Sequence, residues 1–206
     1  MSKDPGYEFT FSVPQGWVKL PVLANRKALR HDKKVEAWSM EHAQAMLGAG
    51  AAPEQVAQRA DQLTKLTYGA RARGSMDGLA LYPPSLPGLI AILDVQRLVP
   101  DRTYPELTFD VLRELYAQPS ADTVGDIDET QTELPSGPAV RVHRKRVEAG
   151  DPTGQGTMAE GVTYAIRPPG IDDAIVMIMT WGALPLGDRL TAMAGAIAET
   201  LKITLT

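Results

Sequence analysis

The sequence contains no cysteine, few aromatic residues and no long apolar run. The absence of cysteine excludes disulfides, thiolate nucleophiles and cysteine-ligated metal sites. A cysteine-free chain is compatible with the reducing cytoplasm, where we expect the protein to act. The most apolar stretch, residues 174–184, is too short to span a bilayer. The start has no apolar segment of the kind found in signal peptides, so we expect neither a membrane span nor a signal peptide.

The chain also has no excess of positive charge, since acidic residues outnumber basic ones and the net charge is −4. This balance argues against non-specific nucleic-acid binding. One stretch, residues 141–146, is strongly basic, but no aromatic residue interrupts it for base stacking. An acidic stretch, residues 123–134, precedes it, and Pro135-Ser136-Gly137-Pro138 predicts a turn between the two. We therefore expect a β-hairpin whose opposite charges neutralise each other, and no nucleic-acid partner.

The register of this hairpin follows from its turn. With Ser136 and Gly137 as a two-residue loop, Glu129 faces Arg144 and Asp128 faces Lys145. Each facing pair of opposite charges contributes about 0.2–1 kcal/mol.

Hydrophobic periodicity predicts the remaining elements of one domain, residues 1–206. Alternating apolar residues predict a strand over residues 7–13, and Pro21 ends a short second strand. Residues 26–71 are predicted to form an inserted helical hairpin, with its first helix over about 26–47. A continuous apolar run predicts a central strand over residues 174–181, and a closing helix covers about 186–202. We therefore predict an α+β fold in α/β/α layers, with an antiparallel sheet packed by helices.

The second predicted helix begins near Pro53, a residue favoured in the first helical turn. Its buried stripe recurs at three- and four-residue steps and consists of Val56, Ala60, Leu63 and Thr67. Gly48-Ala49-Gly50 separates the two helices. This tripeptide follows a helix rather than a strand, so it is a helix–helix turn and not a dinucleotide-binding loop.

Residues that could carry chemistry are scattered. His31, His42 and His143 show no metal-ligand spacing, and no phosphate-binding loop is present, so we predict no metal and no cofactor. Ser75 does not lie in a nucleophile elbow. Asp172 and Asp173 fit a turn. We therefore predict no catalytic residue and lean against an enzyme.

A basic cluster at the start of the first helix is the candidate binding site. Its members are Arg26, Lys27, Arg30, Lys33 and Lys34. Such a cluster is usually a solvated helix surface. The alternative is a docking face for an acidic protein partner.

Both ends of the chain carry a resemblance. The sequence Phe9-x-Phe11-x-Val13-Pro14-x-Gly16-Trp17 and an apolar strand ending at Trp181, followed by a helix, are similar to PsbP-like domains. The resemblance implies α/β/α layers and a non-catalytic role in binding or assembly.

Three functions remain open. The first is a non-enzymatic module that presents a sheet edge or a helix face to an unknown protein partner. The second is a small-molecule-binding protein or enzyme with a pocket between the sheet and the inserted helices. The third is a subunit that assembles into a homo-oligomer. A deep pocket with convergent polar groups would favour the second function, and an exposed apolar patch would favour the others.

Overall fold

The computed structural model describes residues 6–22, 31–83, 88–148 and 157–206. The strands are β1 (Tyr7–Thr10), β2 (Trp17–Leu20), β3 (Asp77–Leu81), β4 (Ala91–Leu98), β5 (Thr123–Leu134), β6 (Gly137–Glu148), β7 (Thr157–Ile166), β8 (Ala174–Trp181) and β9 (Lys202–Leu205). The α-helices are α1 (Lys33–Leu47), α2 (Pro53–Ala72), α3 (Phe109–Tyr116) and α4 (Gly187–Glu199).

Seven strands form one antiparallel sheet in the order β2-β3-β4-β8-β7-β6-β5. Strands β1 and β9 pair separately as an antiparallel ribbon. The α+β fold with an antiparallel sheet packed by helices is therefore confirmed. The apolar strand β8 lies between β4 and β7 with most of its residues buried, as its sequence predicts for a central strand.

The sheet is covered on both faces. On one, the α4 face, α4 and the β1–β9 ribbon pack over the central strands. Its largest fully buried side chains include Leu93, Met179 and Ile197. On the other, the α2 face, α2 packs over β2 and β3, and α3 packs over β6 and β7. Between α2 and α3 lies a polar part of the sheet surface.

The inserted helical hairpin is confirmed as the α1–α2 pair. Every residue of the predicted α2 stripe is buried, and Pro53 opens the helix. Helix α1 begins at Lys33, because the Asp32 side chain caps it by accepting the Lys34 N–H at 3.0 Å. The predicted start near Arg26 lies outside the described residues.

The predicted closing helix is too long. Helix α4 ends at Glu199, and residues 202–205 form β9 instead. Strand β9 pairs with β1, so that Ile203 faces Phe9 and Leu205 faces Tyr7. The helix ends here because residues 202–205 form backbone hydrogen bonds with β1, which they could not form if they continued the helix.

The predicted hairpin register is wrong by two residues. Leu134 pairs with Gly137, so the loop is Pro135-Ser136 and not Ser136-Gly137. Gly137 is the first residue of β6, and a Cβ at this position would lie 2.5 Å from the Arg167 carbonyl oxygen. Glycine is therefore required here for two reasons, the close approach of the two backbones and a φ of 128° that other residues adopt only with strain.

Candidate functional site

The predicted basic cluster is described only in part. Arg26, Lys27 and Arg30 lie outside the described residues. Lys33 and Lys34 are exposed in the first turn of α1, and neither has an ion pair within the described part of the chain. The N-terminus of a helix carries partial positive charge, which makes lysines unfavourable there. The stability of α1 therefore does not explain this pair.

Changing Lys33 and Lys34 to Glu is expected to raise the melting temperature by about 1–3 °C, because acidic side chains suit a helix N-terminus. Thermal unfolding followed by circular dichroism measures the shift. Lys65→Glu is the matched control, since Lys65 lies within α2 and pairs with Asp61 at 2.7 Å. This control should not raise the melting temperature. A lower value for the double variant would show that the two lysines stabilise the fold.

The charges of the β5–β6 hairpin do not pair as predicted. Because of the changed register, Asp128 bonds Arg141 at 2.8 Å instead of facing Lys145. Glu129 accepts from Nε of Arg113 in α3 at 2.5 Å. The acidic strand therefore neutralises only part of the basic strand. Arg144 is left without the partner that the sequence pattern assigned to it.

Strand β5 is an edge strand of the sheet, and no other described strand pairs with its outer side. Its twelve residues include none that is buried. The register shifts across residues 125–127, where Gly125 has a φ of 71°, and this irregularity is a β-bulge. Beyond it, residues 128–134 pair regularly with β6. The free edge is therefore regular over these seven residues, which we call the β5 edge.

The position of Pro138 shows which residues of the β5 edge point their backbone N–H and C=O groups away from β6. Pro138 faces Glu133 and has no N–H, and its carbonyl accepts from the Arg167 N–H at 2.9 Å on the opposite side. The Glu133–Pro138 pair is thus not hydrogen-bonded within the hairpin. Since outward and inward groups alternate along an antiparallel strand, Glu129, Gln131 and Glu133 direct N–H and C=O groups to the free edge.

A buried carboxylate that the sequence analysis missed lies on the α4 face. Glu160 of β7 is 6% exposed and lies 2.8 Å from Nε2 of His143. The Trp181 indole N–H donates to its other oxygen at 3.1 Å. A Cβ on Gly187 would lie 2.6 Å from this carboxylate, so the start of α4 lies directly against it. Glu160 thus links β7 to β6 and β8, and α4 begins directly against it.

The other polar candidates also have structural partners. The Ser75 hydroxyl donates to Asp94 at 2.9 Å, and Arg73 binds the same carboxylate. Asp173 accepts from Tyr7 at 3.1 Å and from Arg97 at 2.5 Å. Burial, followed by the nearby Asp173 charge, raises the pKa of Tyr7 to about 12. These side chains hold elements of the fold together.

The histidines lie apart. His31 is exposed, whereas His42 packs against Trp38 at a tilt, with a ring separation of 4.3 Å, and His143 binds Glu160. In the described part of the chain, no cluster of three His, Asp or Glu residues is arranged to hold a metal ion.

The space between α2 and the sheet is filled by apolar side chains, among them Leu20, Leu63 and Ala80. A groove of about 690 Å³ instead runs along the outer surface of α2. Glutamine and charged side chains line most of it, together with Leu47, Leu66 and Leu89. It is an open groove of mixed polarity rather than an enclosed pocket. None of the described helices combines the length and apolarity needed to cross a bilayer.

Comparison with known proteins gives similarity of shape alone. No protein-family model and no curated protein sequence matches the chain. LpqN, involved in cell envelope biogenesis of Mycobacterium tuberculosis, superposes with a TM-score of 0.48 at 15% identity, over 98% of this chain and 87% of LpqN. A protein from Bacteroides thetaiotaomicron superposes with a TM-score of 0.41 at 10% identity, over 95% of this chain and 45% of its own.

Proposed function

We propose that this protein is a non-enzymatic interaction module that binds an extended, basic segment of another protein along the β5 edge. The observation that carries this proposal is a regular seven-residue strand edge with no covering element among the described residues. Typical strands have five or six residues, so this edge has room for one added strand.

The negative charge of β5 favours a basic partner segment. Asp126, Asp128, Glu129 and Glu133 lie on β5, which has no lysine or arginine. Asp126 and Glu133 form no ion pair with any residue that the structure describes. Pairing of two β5 strands from separate copies would bring these like charges together, which is unfavourable. A strand rich in lysine or arginine would instead place opposite charges across the new pair.

A labelled peptide of alternating lysine and valine, followed by fluorescence anisotropy, tests the edge. We expect saturable binding that weakens as salt concentration rises, because exposed charges are screened. Gln131→Pro should weaken binding by at least about tenfold, since proline removes an outward N–H without removing a bond to β6. Gln131→Thr is the matched control and should bind like the parent.

A charge variant and a second peptide test where the partner binds. Asp126→Asn combined with Glu133→Gln should mainly slow association and reduce its salt dependence. Unchanged binding by a folded Gln131→Pro variant would exclude the β5 edge. Binding of a glutamate–valine peptide that is lost with Lys33→Glu and Lys34→Glu would instead place the docking surface on α1 and indicate an acidic partner.

The PsbP-like assignment belongs to the same proposal. The resemblance at both ends of the chain implies a family of binding and assembly modules, which agrees with an interaction role. The absence of cysteine agrees with action in the cytoplasm, and fractionation of cells that express the full-length protein tests that location.

A further inference from the structure

Arg144 is a cation without an ion pair in the described part of the chain. It is half-buried on the α2 face of β6, in one cross-strand row with Gly161 of β7 and Thr180 of β8. The acid predicted to face it, Glu129, binds Arg113 instead. Arg144 has no carboxylate within 4.0 Å among the described residues. Partly burying a charge without a partner is unfavourable, so an anion from outside would stabilise this position.

The surface beside Arg144 forms a small hollow, which we call the Arg144 depression. It has a volume of about 20 Å³ and is lined by Arg144, Arg146, Gly161, Thr163, Ile178 and Thr180. Gly161 keeps its floor open, and a Cβ there would lie 2.8 Å from the Met179 carbonyl oxygen. A space of this size admits a group as large as one or two oxygen atoms.

The described acids around the depression, Glu148, Asp94 and Asp122, have other partners. Glu148 bonds Arg146 at 3.1 Å, and Asp94 in the neighbouring row is held by Arg73 and Ser75. The Ser120 hydroxyl lowers the pKa of Asp122, and the charges of Arg146 and Arg144 lower it further. Asp122 forms no ion pair with either arginine. The guanidinium of Arg144 is therefore available to a ligand.

We propose that the Arg144 depression binds a phosphate group, supplied as free phosphate or as the monoester of a small molecule. Arg144 donates two N–H groups to two oxygens, in the forked geometry that suits phosphate. The hydroxyls of Thr163 and Thr180 provide further donors, and Ile178 provides an apolar wall. The depression holds one or two oxygens, and the rest of the group points to solvent. No aromatic side chain lines it for stacking against a nucleobase.

Titration of the full chain with inorganic phosphate at constant ionic strength, followed by amide NMR, tests this site. We expect saturable shifts at Gly161, Thr163 and Thr180, and at least about tenfold weaker affinity in Arg144→Gln. Thr180→Val should weaken affinity by a smaller factor. Lys145→Gln is the matched control, because Lys145 is the next residue on β6 and lies on the opposite face of the sheet. It should bind phosphate like the parent.

The remaining arms separate the possible ligands. Tighter binding of glycerol phosphate than of inorganic phosphate would support a monoester, and the reverse order would support free phosphate. Equal affinity of Arg144→Gln and the parent would overturn the proposal. Equal losses of phosphate affinity in Arg144→Gln and Lys145→Gln would also overturn it, because they would indicate attraction to net charge alone. Tighter binding of acetate than of phosphate would overturn it as well. The β5 edge plays no part in these measurements, so either proposal can fail alone.

Discussion

Arg71→Met is expected to destabilise the protein by about 3–5 kcal/mol, because it removes one partner of a buried ion pair. The Arg71 side chain is fully buried and donates to Asp32 at 3.1 Å. It also donates to the carbonyl oxygens of Pro21 at 2.9 Å and Val22 at 3.3 Å. The substitution thus separates α2 from the end of β2 and from the N-cap of α1. Urea denaturation measures the loss of unfolding free energy.

The cost of Arg71→Met in two backgrounds isolates the contribution of the ion pair. Asp32→Ser retains an N-capping oxygen but removes the carboxylate, so Arg71→Met should cost less in the Asp32→Ser background than in the parent. Equal costs in the two backgrounds would show that the backbone contacts of Arg71, and not the ion pair, dominate.

The cost of Arg71→Met should also depend on pH. Burial raises the pKa of Asp32, but the hydrogen bonds from Arg71 and the Lys34 N–H outweigh it, so the pKa lies below the usual value of 3.8. A group whose folded pKa is depressed contributes stability above its unfolded pKa, and this stability is lost as pH falls through the folded pKa. The difference between Arg71→Met and the parent should therefore shrink below about pH 4.

Gly137→Ala is expected to destabilise the fold through two separate effects. Gly137 has a φ of 128°, a conformation that strains an alanine by about 1–3 kcal/mol. A Cβ would also lie 2.5 Å from the Arg167 carbonyl oxygen and 3.1 Å from Cδ of Pro169. Relieving that overlap costs a further amount of about 1–3 kcal/mol.

Gly170→Ala separates the two effects. Gly170 has a φ of 83° and open space where a Cβ would lie. This control should therefore cost only the conformational strain of about 1–2 kcal/mol. Chemical denaturation of both variants gives the comparison. If Gly137→Ala costs no more than Gly170→Ala, the end of β7 moves aside without loss, and the close approach does not fix the hairpin.

Sequence patterns predicted the elements that depend on local periodicity. The α2 stripe from Val56 to Thr67 is buried because a helix repeats every 3.6 residues, whatever it packs against. Strand β8 was predicted because it is apolar on both faces. By contrast, β9 is four residues long, and only its pairing with the distant β1 makes it a strand. The hairpin register brings Gly137 against the carbonyl oxygen of Arg167, the residue after β7, and turn chemistry does not reveal this contact.

The candidate sites were harder to predict. Both the β5 edge and the Arg144 depression follow from the register that the structure corrects. Glu160 was missed because neighbouring strands and α4 bring its partners to it. One local signal was present, since Glu160 is a single acid in an otherwise uncharged strand. A buried acid needs a polar partner or a functional role. Only the order of the strands shows that His143 and Trp181 are the partners of Glu160.

The pairing of β1 with β9 has a consequence for synthesis of the protein. Strand β1 is synthesised nearly 200 residues before its partner β9. At translation rates of about 5–20 residues per second, this interval is roughly 10–40 s. During it, Tyr7 and Phe9 have neither a paired strand nor a finished core to cover them. The nascent chain therefore exposes an aggregation-prone aromatic strand, which a chaperone would protect until β9 has been synthesised.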